Sequence, residues 1–177
     1  LVSADQYAFP LFEKLIKAGL DLFFHTPNAL HVRAITPGAA RLMYKAGFKT
    51  IRLGLETADF SEKRQYDVKV RGASEFLRAA ENLRDAGFNS NQLGAYLLCG
   101  LPGQDLDGVA ASMALVRAAG MTPVLAYYTP IPGTTLWETA CESARFDLEK
   151  DPVFTNNALF PCVPDARDRE RILKLKH

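Results

Sequence analysis

No run in this sequence approaches the roughly 20 consecutive apolar residues that a bilayer-spanning helix needs. No apolar leader with a basic flank opens it at Leu1 either. Both absences predict a soluble, cytoplasmic protein. Charge of one sign is missing as well: 21 Lys and Arg stand against 20 Asp and Glu, a formal net charge of +1, and the cations are scattered rather than gathered in a stripe. That removes the electrostatic footprint of a nucleic-acid or membrane-surface binder. Cysteine is scarce, with Cys99, Cys141 and Cys162 far apart, a spacing that fits neither a disulfide framework nor a metal site. They read as structural thiols. No GxGxxG follows the first strand-like segment, which counts against a dinucleotide-binding sheet. Position 1 is not methionine and a single His177 closes the chain, so the sequence is expected to be an excised piece of something longer.

What is present is a repeat. With 177 residues and 48% apolar content the chain can bury one sizeable core. Ser3, Ala4, Asp5 and Gln6 match a capping box, and Ala8, Leu11, Phe12, Leu15 and Ile16 follow at helical spacing. Thr36-Pro37 offers an N-cap and a first-turn proline to a second helix, with Ala39, Leu42, Met43 and Ala46 as its stripe. Phe76, Leu77, Ala80 and Leu83 mark a third helix, and Val109, Ser112, Met113 and Val116 a fourth. All four end alike, with glycine at 19, 47, 87 and 120 and an apolar residue just beyond, the sequence form of a Schellman ending. The glycines are 28, 40 and 33 residues apart, each the length of one βα unit. Strands are expected near residues 21–26, 50–56, 93–99 and 122–128, parallel and in sequential order, which makes an arc of a partial β/α barrel. Residues 1–150 are assigned to that arc and 151–177 to a C-terminal extension outside it, with a charged helix over 167–176. A long polar connection, residues 57–69, leaves the end of the second strand, where such loops are usually functional.

The strand ends carry the chemistry. Leu93-Gly94-Ala95-Tyr96-Leu97-Leu98-Cys99 runs almost without polarity into Gly100-Leu101-Pro102-Gly103-Gln104, so two glycines sit at a strand-to-helix corner, where a ligand can approach the backbone. Together with Ile51-Arg52-Leu53-Gly54-Leu55-Glu56 before it and Tyr127-Tyr128-Thr129-Pro130-Ile131-Pro132-Gly133-Thr134 after it, this order of motifs resembles the later half of a radical S-adenosylmethionine (SAM) enzyme, from about Leu1 to Trp137. The similarity is greatest to the group of oxygen-independent coproporphyrinogen oxidases, methylthiotransferases and cobalamin-binding radical enzymes, and the Pro-Ile-Pro-Gly-Thr ending leans toward the last.

The resemblance implies a six-unit partial barrel in which these strands are the third to sixth. It also implies a [4Fe-4S] cluster on a Cys-x3-Cys-x2-Cys loop that this sequence does not contain, so the loop would lie upstream and the piece alone would be inactive. By the same resemblance Glu56 would bind the polar part of SAM, Lys69 its carboxylate, Gly100 and Gly103 would pass near adenine, and Tyr128 and Thr129 would flank it. Cobalamin is a further cofactor that the group implies. Tyr96 departs from the coproporphyrinogen oxidases, which have Asp there. His25 and Asn28, with Arg33 in the same loop, are substrate-side candidates. Two other classes compete: a lyase or aldolase-like barrel with Lys69 as Schiff-base nucleophile, set back by its charged neighbours Lys63, Arg64 and Arg71, and a non-catalytic module that self-associates through open barrel edges.

Overall fold

Alternating helices and parallel strands curl into a half-barrel. The computed structural model describes residues 4–60 and 70–175. Along the chain lie α1 (Phe9–Ala18), β1 (Phe24–His25), β2 (Leu30–His31), α2 (Pro37–Lys45), β3 (Phe48–Glu56), α3 (Ala73–Asp85), β4 (Leu93–Cys99), α4 (Leu106–Ala118), β5 (Thr122–Tyr127), α5 (Trp137–Ser143) and α6 (Ala166–Leu175). The sheet runs β1-β3-β4-β5, with β2 also paired to β3, and every pairing is parallel. Sequential order without reversal is what separates a barrel arc from a doubly wound sheet.

Local signals account for the helix ends. Gly19, Gly47, Gly87 and Gly120 all have positive φ. Two of the endings carry the full double bond pattern: Phe88 N–H donates to Leu83 C=O (3.2 Å) and Gly87 N–H to Arg84 C=O (2.9 Å), as Met121 N–H does to Val116 (3.1 Å) and Gly120 N–H to Arg117 (2.9 Å). At the other end of α2, Ala39 N–H donates to Thr36 Oγ1 at 3.1 Å, and Pro37 occupies the first turn. The capping box at Ser3 falls outside the described residues; α1 proper starts at Phe9 with no side-chain cap.

Period-2 alternation decides which face of the sheet is covered. Ile51, Leu53 and Leu55 of β3 and Leu93, Ala95, Leu97 and Cys99 of β4 are completely buried, in one cluster with Met43, Phe76, Ala80, Leu83, Val109 and Val116 from the helices. The alternate set, Arg52, Gly54 and Glu56 with Tyr96 and Leu98, is half-buried and lines the concave side. Arg52 lies flat there, its Cδ 3.0 Å from where a Cβ on Gly94 would stand, and its Nη1 donates to the Gln92 carbonyl at 3.2 Å.

Three features depart from the sequence reading. The first strand is two residues long and leaves Leu20, Leu22 and Phe23 exposed, and β2 is too short to show a period. The C-terminal segment also returns to the sheet: Phe160, Val163 and Ile172 belong to the main core. It also takes up one group on the outer edge of β5. Tyr128 N–H donates to Cys99 C=O, so residues 123, 125 and 127 turn their backbone outward. Of these Pro123 has no N–H to offer, and the Tyr127 carbonyl already accepts from Asn157 Nδ2 at 3.3 Å.

Candidate functional site at the carboxyl ends of the strands

Parallel strands bring their carboxyl ends to one rim, and the connections after β3, β4 and β5 meet there around a cavity of about 380 Å³ lined by Thr57, Asp59, Gly103, Gln104, Leu136 and Thr139, among others. The most strained backbone on that rim belongs to Glu56. It has φ 64°, one of two positive values at non-glycine residues among those described. It forms the centre of a three-residue turn closed by Thr57 N–H to Leu55 C=O at 2.7 Å, the strained kind of γ-turn. The ladder slips at the same point: Gly54 pairs with Tyr96, but Glu56 already pairs with Leu97, a bulge of the sort that re-aims a side chain. The result is that Oε1 of Glu56 folds back to 3.2 Å from where a Gly54 Cβ would stand, on the concave face. Backbone strain of this type persists where the surroundings over-determine it, which is characteristic of functional sites.

Past Glu56 the chain is tied to α4. Ala58 N–H donates to Ser112 Oγ at 2.9 Å, and Ser112, 2% exposed, donates onward to Gly108 C=O at 2.8 Å. The turn after β4 is held by one side chain. Gln104 Oε1 accepts from Gly100 N–H (2.7 Å) and Leu101 N–H (3.3 Å), while its Nε2 donates to Leu98 C=O (2.9 Å). Gly100 and Gly103 both adopt positive φ, which is why this corner takes glycine. Asp105 then caps α4 through the amides of Asp107 (3.0 Å) and Gly108 (3.2 Å).

The residues singled out from the sequence divide as follows. Gly103 lines the mouth cavity and Glu56 directly precedes Thr57, which does too. Gly100 sits on the other side of the turn, where an added Cβ would meet Val163 Cγ2 at 3.7 Å and Phe160 Cδ1 at 3.9 Å. Tyr128 leans into a second small cluster with Ala140, Leu148, Cys162 and Trp137, and Thr129 stands exposed beyond it. The hydroxyls of Tyr127 and Tyr128 are buried and have no partner among the described residues; burial first, then the neighbouring thiols, keeps both phenols protonated above their usual range. Lys69, with Lys63 and Arg64, lies outside the described residues. His25 is exposed, its Nδ1 2.9 Å from Thr50 Oγ1. Asn28 is exposed on the β1–β2 loop, next to the Pro27 carbonyl that accepts the Tyr96 hydroxyl at 2.9 Å. Arg33 turns to α3 instead and pairs with Glu75 at 3.4 Å. That carboxyl is held below its usual range, chiefly by the Arg71 N–H and then by Arg33. Gln104 and Ser112 join the site without a sequence signal, because single polar side chains give no sign in sequence of which backbone groups they will meet.

Chemically, the rim offers a carboxylate, hydroxyls and backbone groups, a set suited to ribose hydroxyls or an ammonium. It does not offer a cluster of thiolates. Cys99 is completely buried, and desolvation pushes its thiol up to about 11; burial also raises Cys162. Cys141 on α5 packs against the same small cluster as Cys162, and its thiol is likewise raised, by desolvation and then by the neighbouring carboxylates. No group of three His, Cys, Asp or Glu able to hold a metal occurs among the described residues, so these cysteines do not fit an iron-sulfur cluster. Nor is any helix among them long and apolar enough to cross a membrane.

The Cys99 shift has a measurable consequence. A thiol ordinarily near 9.0 that titrates near 11 when folded keeps its proton in the native state after the unfolded chain has lost it. Its stabilisation is complete below pH 9 and is lost as pH rises through 11, at about 1.4 kcal/mol per unit and about 2–3 kcal/mol in all. Urea unfolding at pH 8 and pH 10.5 should show the wild type losing more stability between the two than Cys99→Ala does. An identical loss in both would assign the alkaline instability to other groups.

No protein-family model and no curated protein matches this chain.

Proposed function

We propose that this chain is the SAM- and substrate-side part of a radical SAM enzyme, with the [4Fe-4S] cluster held by residues outside it. The observation that carries this reading is Glu56. A carboxylate at the end of a barrel strand, in a strained turn and folded onto the concave face, is what a site for a hydroxylated or ammonium-bearing ligand requires, and it falls on the residue that the motif resemblance assigns to SAM. The turn at residues 100–104 lies on the same rim, which supports it as the neighbouring wall. Glu56, Gly103 and Thr57 would hold the ligand, and Tyr128, just past the end of β5, supplies a buried hydroxyl without a partner among the described residues. SAM, when bound, brings an alkyl group activated on a sulfonium; the residues here bind and orient it. Three unpaired cysteines suit a reducing, cytoplasmic location.

The test is a titration of SAM, under anaerobic conditions, into the polypeptide that carries this chain behind a Cys-x3-Cys-x2-Cys segment. Glu56→Ala should weaken binding by about 1.5–3 kcal/mol, the value of a charge-assisted contact, rather than the roughly 0–1 kcal/mol of a surface pair. Unchanged affinity in a well-folded variant removes Glu56 from the site. A reading frame without that cysteine segment would sink the assignment altogether.

A further inference from the structure

The turn at residues 100–104 has a cavity on each side. One is the mouth cavity described above; the other, of about 530 Å³, lies behind it and is lined by Gly100, Gly103, Gln104, Cys162 and Val163, among others. Much of the back wall of this second cavity comes from the C-terminal segment, which is anchored to the end of β5 and to the first turn of α4 and tied internally. Asn157 Nδ2 donates to the Tyr127 carbonyl at the end of β5. The Phe160 ring meets Tyr127 edge-on with centroids 4.9 Å apart and also reaches the back of Gly100. Further on, Arg169 Nη1 donates to the carbonyls of Val163 (2.8 Å) and Pro164 (2.7 Å), and Arg171 pairs with Asp107 in the first turn of α4.

Phe160 is the other non-glycine residue at positive φ, 48°, and it is 8% exposed. A left-handed conformation costs an aromatic residue free energy, so the segment places its ring at that expense. What the ring gains is its edge-on contact with Tyr127, the last residue of β5, and a place facing the side of Gly100 that a Cβ would occupy, 3.9 Å from that position.

From this we infer that residues 157–163 form a strap that sets the conformation of the ligand-side turn, with Phe160 as the positioning residue. The turn amides of Gly100 and Leu101 keep their bonds to Gln104 because the strap holds the backbone from behind. By reciprocity, a ligand that orders the turn from the mouth side tightens the strap, and loosening the strap weakens that ligand. The inference does not rest on the radical SAM reading, since it concerns the coupling of two backbone segments whatever the ligand is.

Amide hydrogen exchange on the full 177-residue chain tests it without any ligand. In Phe160→Ala the Gly100 and Leu101 amides should exchange about tenfold faster or more, while the β4 ladder amides of Tyr96 and Leu97 change by less than about twofold. Asn157→Ala removes one anchor and no core volume, and it should accelerate the same two turn amides, by about threefold. Turn amides unchanged in both variants overturn the proposal. So does an equal acceleration through β4, which would make the segment an ordinary part of the core. If Phe160→Ala does not fold, Asn157→Ala decides by the same criterion.

Discussion

Gly47→Ala should destabilise the fold by about 2–5 kcal/mol, combining a left-handed backbone penalty of about 1–2 with a steric clash that cannot relax cheaply. Gly47 has φ 95°, and an added Cβ would stand 2.5 Å from the Leu22 carbonyl oxygen, a backbone atom. The same residue ends α2, leads directly into β3, and accepts the Phe24 amide at 3.1 Å. A Cβ there pushes β1 off the sheet as well as straining the turn. Gly19 provides the control, since its φ is 60° but none of the described residues comes within 4 Å of its Cβ position; Gly19→Ala should cost only the backbone strain, about 1–2 kcal/mol. Urea midpoints for the two variants separate the contributions. Equal costs would show that the approach of Leu22 has no energetic weight.

Phe76→Ala is expected to cost about 3–5 kcal/mol, the range for emptying an aromatic site in a packed core. Phe76 is fully buried on α3 and belongs to the cluster that includes Leu53, Leu55, Val70 and Leu97. Its neighbour Leu77 is 40% exposed, although both residues fit the apolar stripe read from the sequence. Leu77→Ala should therefore stay within about 1 kcal/mol. Equilibrium unfolding of both variants checks the rotation of α3, because comparable losses would mean that the helix presents a different face to the sheet. A loss at Phe76 well below the expected range would mean that the site collapses readily around the missing ring.

Periodicity identified α3 and its apolar stripe but could not rank Phe76 over Leu77, since a stripe some 100° wide holds both central and marginal positions. The helix endings at residues 19, 47, 87 and 120 were fully legible because a left-handed C′ residue is a local requirement that glycine meets. The β4 strand coincides with its expected span, residues 93–99, because its run is apolar throughout although only one face is fully covered, Tyr96 and Leu98 on the other being half-buried. The first strand was overextended, since Leu20, Leu22 and Phe23 have strand-like composition while their exposure is set by what lies beside them.

Sequence alone thus determined the repeat: four glycine-ended helices alternating with parallel strands, and the carboxyl-end rim where the loops gather. These follow from short-range rules of capping, turn chemistry and apolar period. Tertiary structure alone decided that Glu56 bends into a strained turn over Gly54, that Gln104 ties the turn at residues 100–104, that Ser112 links the β3 loop to α4, and that Phe160 returns to close the back of Gly100. Each depends on a partner brought close only when the sheet curls. Ser112 and Ala58 are 54 residues apart, and no local preference encodes a contact over that separation; long-range packing selects it because buried polar groups must find partners.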